Sequence, residues 1–390
     1  MKQVVLIMVD TQRRDMVGCY PDSKSLTPNL KALAERGRAY NRAYTCSPVC
    51  APARSALFTG LYPHSNGVVA NSTPLGQGVK NAGQWLSPHG IECGYIGKWH
   101  LDGGDYFGYG RCPEGYNPRY WYDMKNYLDS LPDDEARIRS RIPMPARDDD
   151  PPEEDTYAHR CCDKAIDFLE EFKDKNFFLT LSLDEPHDPY VCPRRYMDAL
   201  DERGFRVPKK PNYRADLSSK PLSHRIWAKR FESVTYDELD RAQKGLFACN
   251  EFCDYEIGRV LDKVEELGLE PMIIYTADHG DMLLSHGIAG KGCAMYEEIT
   301  NIPLIISVKG QTLPGSDVPV SHLDLLPTLM KYLDVKIPKP LQGKALQDIK
   351  DENRYIFLEY TRYETDHDGF MGYQPIRCVT DGRYKLVINL

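Results

Sequence analysis

The chain has 390 residues, enough to bury one large core with room for a smaller appendage. Its 42% hydrophobic and 27% charged residues describe a water-soluble globular protein, and a net charge of −8 argues against general binding to nucleic acid. Twelve cysteines are scattered, with Cys161 and Cys162 adjacent, and no apolar leader opens the chain at Lys2-Gln3-Val4-Val5. Free thiols in a reducing cytoplasm are expected, with no membrane partner; a mature chain whose leader had been removed to reach a periplasm would read the same.

The run at 4–9 is rich in β-branched residues, stops at Asp10 and predicts a buried parallel strand. Thr27 is placed to cap a helix with Pro28 in its first position and Gly37 past its end. Cys50 opens Cys50-Ala51-Pro52-Ala53-Arg54, which sets Arg54 one helical turn further on. Lys98-Trp99-His100, read as extended, puts Lys98 and His100 on one face with Trp99 behind them. Segment 105–127 carries Tyr106 among eight aromatic residues, which suit a platform for a sugar ring or the packing of an insertion. Segment 133–155, with Asp148-Asp149-Asp150-Pro151-Pro152, predicts an exposed insertion.

A helix over 165–172 precedes an apolar strand at 177–181, which leads to Asp184 and Glu185-Pro186-His187-Asp188-Pro189. Segment 203–230 is strongly basic against one acid, Asp216; a solvated loop is favoured over a seat for a polyanionic sugar. Cys249 and Cys253 share a helical face and read as core. The runs at 272–276 and 303–308 predict two more parallel strands, the first ending in Asp278-His279-Gly280. Lys291 stands between Gly290 and Gly292, and strand-like runs at 355–358 and 384–388 close the chain, the second after an Asp381-Gly382 turn.

This alternation predicts an α/β fold whose mostly parallel central sheet is sandwiched by helices. In such sheets the site lies beyond the carboxyl ends of the strands, where Asp10, Asp184, His187 and Asp278 fall. Neighbouring residues on a strand point to opposite faces. Asp278 and His279 therefore converge on one metal ion only if the backbone turns, as Gly280 permits.

The stretch from Cys50 to the Thr59-Gly60 pair resembles the signature of type I sulfatases, Cys-x-Pro-x-Arg followed by Thr-Gly. In that family the cysteine is oxidised to formylglycine. A hydrated aldehyde offers a hard oxygen that a metal can ionise, better matched to sulfur(VI) than a soft thiolate. Lys98-x-His100, Pro186-His187-x-Pro189 and Lys291 also resemble family elements, so the likeness to sulfatases of the alkaline-phosphatase superfamily spans nearly the whole chain. Thr45-Cys46-Ser47-Pro48-Val49-Cys50 and Gly97-Lys98-Trp99-His100-Leu101-Asp102-Gly103 resemble uncharacterised bacterial sulfatases.

The resemblance implies an alkaline-phosphatase-like catalytic domain over 1–350 and a small antiparallel C-terminal subdomain over 351–390, shortened relative to the family. It implies a sulfuric ester hydrolase that releases sulfate from a sulfated small molecule or carbohydrate. The nucleophile would be a metal-bound formylglycine hydrate made from Cys50 by a formylglycine-generating or anaerobic sulfatase-maturating enzyme. Asp10, Cys50, Asp278 and His279 are the implied ligands of one divalent cation. Arg54 and Lys98 would stabilise the ionised diol and a sulfate oxygen, His100 would act as base, His187 as acid, and Lys291 would bridge sulfate and leaving oxygen. Two residues depart from the commonest pattern: Thr11 stands where a second Asp is usual and His279 where Asn is frequent. The cation is calcium by resemblance, with Mn²⁺ or Zn²⁺ admitted by the imidazole, and Gln12 could add an oxygen.

His64 and Asn71 suit pocket or turn roles, and His322 reads as structural. Two other functions are open at this level. One is a phosphonate monoester or phosphodiester hydrolase of the same superfamily, whose Asp-His pair Asp278-His279 resembles. The other is a sulfate-binding protein with unmodified Cys50.

Overall fold

The computed structural model describes residues 1–143, 150–350, 353–365 and 371–390. Its strands are β1 (Gln3–Val9), β2 (Arg38–Ala39), β3 (Ala43–Tyr44), β4 (Glu92–Gly97), β5 (Trp121–Tyr122), β6 (Phe177–Ser182), β7 (Met272–Ala277), β8 (Leu304–Ser307), β9 (Val320–Ser321), β10 (Ile356–Tyr360), β11 (Ile376–Thr380) and β12 (Lys385–Asn389). Seven form the central sheet in the order β2-β8-β7-β1-β6-β4-β5. Strands β7, β1, β6, β4 and β5 are mutually parallel. All residues of β1, β6 and β7 are buried, which is why these strands read as unbroken apolar runs rather than alternating ones.

The two-residue period of β1 feeds two cores. Val5, Ile7 and Val9 pack with Leu30, Phe168, Phe252 and Ile257 from the Pro28–Glu35, Tyr157–Phe172 and Tyr236–Glu266 helices. Val4, Leu6 and Met8 pack with Ala51, Leu57, Phe58, Leu326 and Leu329 from the Cys50–Thr59 and Leu325–Tyr332 helices. Helices therefore cover both faces, as an α/β sandwich requires.

Some local expectations are corrected. The run at 303–308 forms β8, which lies antiparallel to β7. The connection from β7 starts at the site edge of the sheet and contains only the short Glu297–Thr300 helix, so the chain re-enters from the same edge in the opposite direction. Thr27 does not cap its helix through its side chain; its Oγ1 instead accepts a 2.7 Å bond from Gly18 N. The helix expected over 165–172 begins earlier, at Tyr157, capped by the Thr156 side chain. Strand β4 was not read from the sequence. Two of its residues are glycines that close packing demands: a Cβ on Gly94 would lie 2.7 Å from Phe168, and one on Gly97 1.9 Å from Ser182 O.

Strands β10, β11 and β12 form the small antiparallel C-terminal sheet. Its inner face, with Ile356, Leu358 and Ile376, shares a core with Val49, Trp227, Met282 and Cys293. The expected boundary at 350/351 adjoins residues 351–352, and Asp148 and Asp149 of the acidic segment also lie outside the described residues. Asp150 is exposed, as expected. All twelve cysteines are free thiols, and no described helix is long and apolar enough to cross a membrane.

Candidate active site

Four segments converge beyond the carboxyl ends of the parallel strands. β1 delivers Asp10, β4 delivers Lys98, β6 leads to Asp184 and His187, and β7 delivers Asp278 and His279. Cys50 opens the Cys50–Thr59 helix, and Arg54 follows within it. Ala51 N donates to Asn71 Oδ1 at 3.0 Å, so a side chain from a neighbouring loop caps an otherwise free helical N–H.

Arg54 is fully buried and joins the two carboxylates: Nε lies 3.0 Å from Asp278 Oδ2 and an Nη 3.1 Å from Asp10 Oδ2. Its other Nη donates at 2.8 Å to both Lys98 O and Ser182 Oγ. Lys98 Nζ is 2.7 Å from Asp10 Oδ2 and 3.1 Å from Asp184 Oδ1, although its ammonium aligns with neither as a conventional hydrogen bond. Lys291 Nζ lies 3.0 Å from Cys50 Sγ. Buried charges on this scale persist only when each has a partner, which is the arrangement seen.

The Asp10, Cys50, Asp278 and His279 ligand atoms all lie within 4.8 Å of one another, and all four residues are buried. His279 Nδ1 is 2.9 Å from Gly280 O, a group that only accepts, so Nδ1 carries the proton. Its Nε2 lone pair therefore faces Cys50 Sγ at 3.2 Å, with Asp10 Oδ1 and Asp278 Oδ1 each 3.6 Å away. An imidazole lone pair aimed at two carboxylate oxygens suits a bound cation, with the backbone carbonyl fixing the tautomer. The residues present fit a divalent metal.

Charge placement sets the protonation states. Burial opposes the Asp10 charge, yet Lys98, Lys291, His187 and Arg54 outweigh it and hold the carboxyl well below its ordinary value. Burial and the Asp10 charge push Asp278 up to about 6, a strain that a cation would relieve. Burial and Asp10 resist ionisation of Cys50, but the Lys291 and Lys98 charges bring its thiol well below the ordinary value. Burial and Lys291 work against the His187 cation, yet Asp10 and the Asp188 bond raise it to about 10. Burial lowers His100, which is within hydrogen-bonding reach of Cys50 and whose Nδ1 is buried without a partner among the described residues.

The structure brings Asp10, Cys50, Arg54, Lys98, Asp278, His279 and Lys291 into one contact network. Gln12 is not part of it: its amide bonds Asn250 Oδ1 at 2.5 Å and Tyr275 OH at 2.6 Å, pointing into the core. His100 has φ 59°, so Lys98-Trp99-His100 is not a plain extended segment. Trp99 is nonetheless the buried anchor expected, between Phe58, Tyr95, Tyr116 and Trp121. Thr11 replaces the usual second acid with a hydroxyl that donates 2.7 Å to Asp10 Oδ1. His64 is turned to Glu359 at 2.6 Å, and His322, lowered to about 3 by burial, holds Ala277 O at 3.0 Å. Tyr106 emerges as a site residue: its ring lies 4.0 Å from Lys98 Nζ and 5.3 Å from the His187 ring, and its hydroxyl donates to Asp184. Its place among many tyrosines hid it. In the basic segment, Arg203, Arg206 and Lys210 pair with Glu251, Asp237 and Asp15.

A profile described as sulfatase matches residues 2–335. The chain belongs to the sulfatase family. A second profile, the C-terminal region of N-sulphoglucosamine sulphohydrolase, matches residues 285–389. The chain is 40% identical to the uncharacterized sulfatase YidJ of Escherichia coli strain K12, over 99% of this chain and 78% of that protein. It is 25% identical to the choline-sulfatase of Rhizobium meliloti strain 1021, over 98% and 77%. Among solved structures, BT4656 in complex with D-glucosamine-2-N,6-O-disulfate superposes with TM-score 0.77 at 19% identity, covering 99% of this chain and 88% of that one. The phosphonate monoester hydrolase SpPMH from Silicibacter pomeroyi gives 0.81 at 21%, covering 100% and 87%. The alkaline-phosphatase-like fold and the sulfatase class of hydrolase are thus established for this sulfatase.

Proposed function

We propose that the cluster around Cys50 hydrolyses sulfate monoesters of a small molecule or carbohydrate, with Cys50 converted to formylglycine and Asp10, residue 50, Asp278 and His279 holding one divalent cation. The observation that carries this is the union of four ligand atoms with three cations on one buried nucleophile position. The hydrated aldehyde supplies a hard nucleophile and the cation supplies positive charge beside it. Calcium follows from the family resemblance, and His279 admits Mn²⁺ or Zn²⁺.

The chain's own residues do the rest. Lys291 touches the nucleophile position and Lys98 pairs with Asp10 beside it; both present fixed positive charge to the sulfate oxygens, and Arg54 keeps both acids ionised and oriented. His100, neutral through burial, accepts a proton from residue 50. His187, protonated at neutral pH, donates one to the leaving oxygen. An N-acetylglucosamine-6-O-sulfatase of Bacteroides thetaiotaomicron, 24% identical over 93% of this chain and 75% of that protein, and the disulfated glucosamine complex support a sulfated saccharide as substrate. Residues 1–350 form the catalytic domain and 351–390 its small C-terminal subdomain in this reading. A formylglycine-generating or anaerobic maturating enzyme acts on Cys50, and the reduced thiols fit the cytoplasm.

The test is a comparison of kcat/KM for an aryl sulfate and the matched phenylphosphonate monoester. Sulfate is expected to be faster, because Lys98 and His100 both face the nucleophile position. Faster phosphonate turnover would decide for a phosphonate hydrolase.

A further inference from the structure

The polar contacts of His187 are one-sided. Its Nδ1 lies 2.9 Å from Asp188 Oδ1, 2.9 Å from Asp188 O and 3.4 Å from the Tyr106 hydroxyl. The Asp188 carboxylate and carbonyl only accept, and the Tyr106 proton is committed to Asp184, so Nδ1 must carry hydrogen. Among the described residues, the hydrogen bonds and ion pair of the ring all fall on Nδ1, which leaves Nε2 free to meet a substrate. Tyr106 supports the ring from the side, its plane tilted 38° to the imidazole, and is itself held over Lys98.

The Asp188 side chain is 71% exposed, so its pair with His187 adds little to folding. What it adds is direction. A carboxylate on one imidazole nitrogen selects the tautomer and orientation of the ring and stabilises the cationic form, whichever fold carries it.

We propose that Asp188 is a positioning residue: it turns His187 so that Nδ1–H faces the protein and Nε2–H faces the leaving-group oxygen. This rests on the reading of His187 as proton donor. In the transfer the Nε2–H bond breaks and its electron pair stays on the ring. The proton goes to the leaving oxygen as that oxygen's bond to sulfur breaks, and Nδ1–H stays on Asp188.

The experiment uses the mature enzyme and its Asp188→Ala and Asp188→Asn variants, with 4-nitrophenyl sulfate and phenyl sulfate. The nitrophenolate leaves without help, whereas phenolate needs a proton. Asp188→Ala is expected to lower kcat on phenyl sulfate by roughly 10- to 100-fold, less than the roughly 10²–10⁴ that a general acid contributes, because the acid itself remains. It should change 4-nitrophenyl sulfate by less than about threefold. Asp188→Ala leaves Nδ1–H only the backbone carbonyl of residue 188, whereas Asp188→Asn restores a side-chain acceptor and should recover most of the loss. An equal fall on both esters, or none on either, would overturn the proposal. Wild-type enzyme inactive on both esters would instead remove aryl sulfates from its substrates, and crystal structures then decide about Asp188. A His187 ring reoriented in Asp188→Ala and retained in Asp188→Asn supports the role, and an unchanged ring in both removes it.

Discussion

Glu185 offers a measurement of what burial does to a charge beside this site. Its carboxyl is 5% exposed; one oxygen accepts from Ala158 N at 3.1 Å, and the other has no partner among the described residues. Burial, and then the neighbouring Asp184 charge, raise it from 4.5 to about 8. Between those values the folded chain keeps a proton that the unfolded chain has released, so stability falls as pH rises through that window and levels off above it. Each pH unit removes at most about 1.4 kcal/mol, and the whole window amounts to roughly 4–5 kcal/mol as an upper bound. Glu185→Gln keeps an acceptor for Ala158 N and cannot ionise. Its unpartnered amide costs about 1–3 kcal/mol at every pH. Urea midpoints of both proteins from pH 5 to 9 should therefore converge or cross, the wild type losing ground to Glu185→Gln as pH rises. Parallel curves would refute the inference that this carboxyl is buried without compensation.

Three further outcomes are expected. Cys50→Ala should abolish sulfate release while leaving the circular dichroism spectrum and thermal midpoint close to wild type; near wild-type turnover would remove Cys50 from the chemistry. Asp10→Ala and Asp278→Ala should each lose bound metal and most activity, read by elemental analysis and turnover, because each removes a charged ligand candidate and leaves Arg54 half-paired. Lys98→Ala should lower the sulfate rate by about 10²-fold or more, the loss expected on removing one preorganised charge-stabilising donor; a change under about threefold in kcat/KM would place Lys98 in folding rather than catalysis.

The strand ends were legible because β1, β6 and β7 are buried on both faces and terminate in polar residues that no core would keep: Asp10, Asp184 and Asp278. Cys50, Arg54, Lys98 and Lys291 were legible through motif spacing. What escaped depended on contacts between distant segments. β4 carries glycines because Phe168 and Ser182 press on it, and that pressure has no local signature. β8 looks like its parallel neighbours in composition, since direction is set by the connection rather than by the strand. Gln12 follows Asp10 by two positions, yet a core amide and a tyrosine, Asn250 and Tyr275, claim its side chain. Tyr106 could be told from Tyr116 or Tyr120 only by knowing which one meets Lys98.

Cys50 is 2% exposed on the first turn of a helix whose ten residues are all buried, between the central sheet and the Leu325–Tyr332 helix. A maturating enzyme of the kind proposed above would have to reach a side chain that the finished fold leaves almost wholly covered. On that proposal conversion competes with folding, and a thiol still unconverted when residue 50 is buried should stay so until the protein unfolds. Slowing folding in the cell, by lower temperature or sparse synthesis, should enlarge the converted fraction, and refolding purified Cys50 protein alone should never create it.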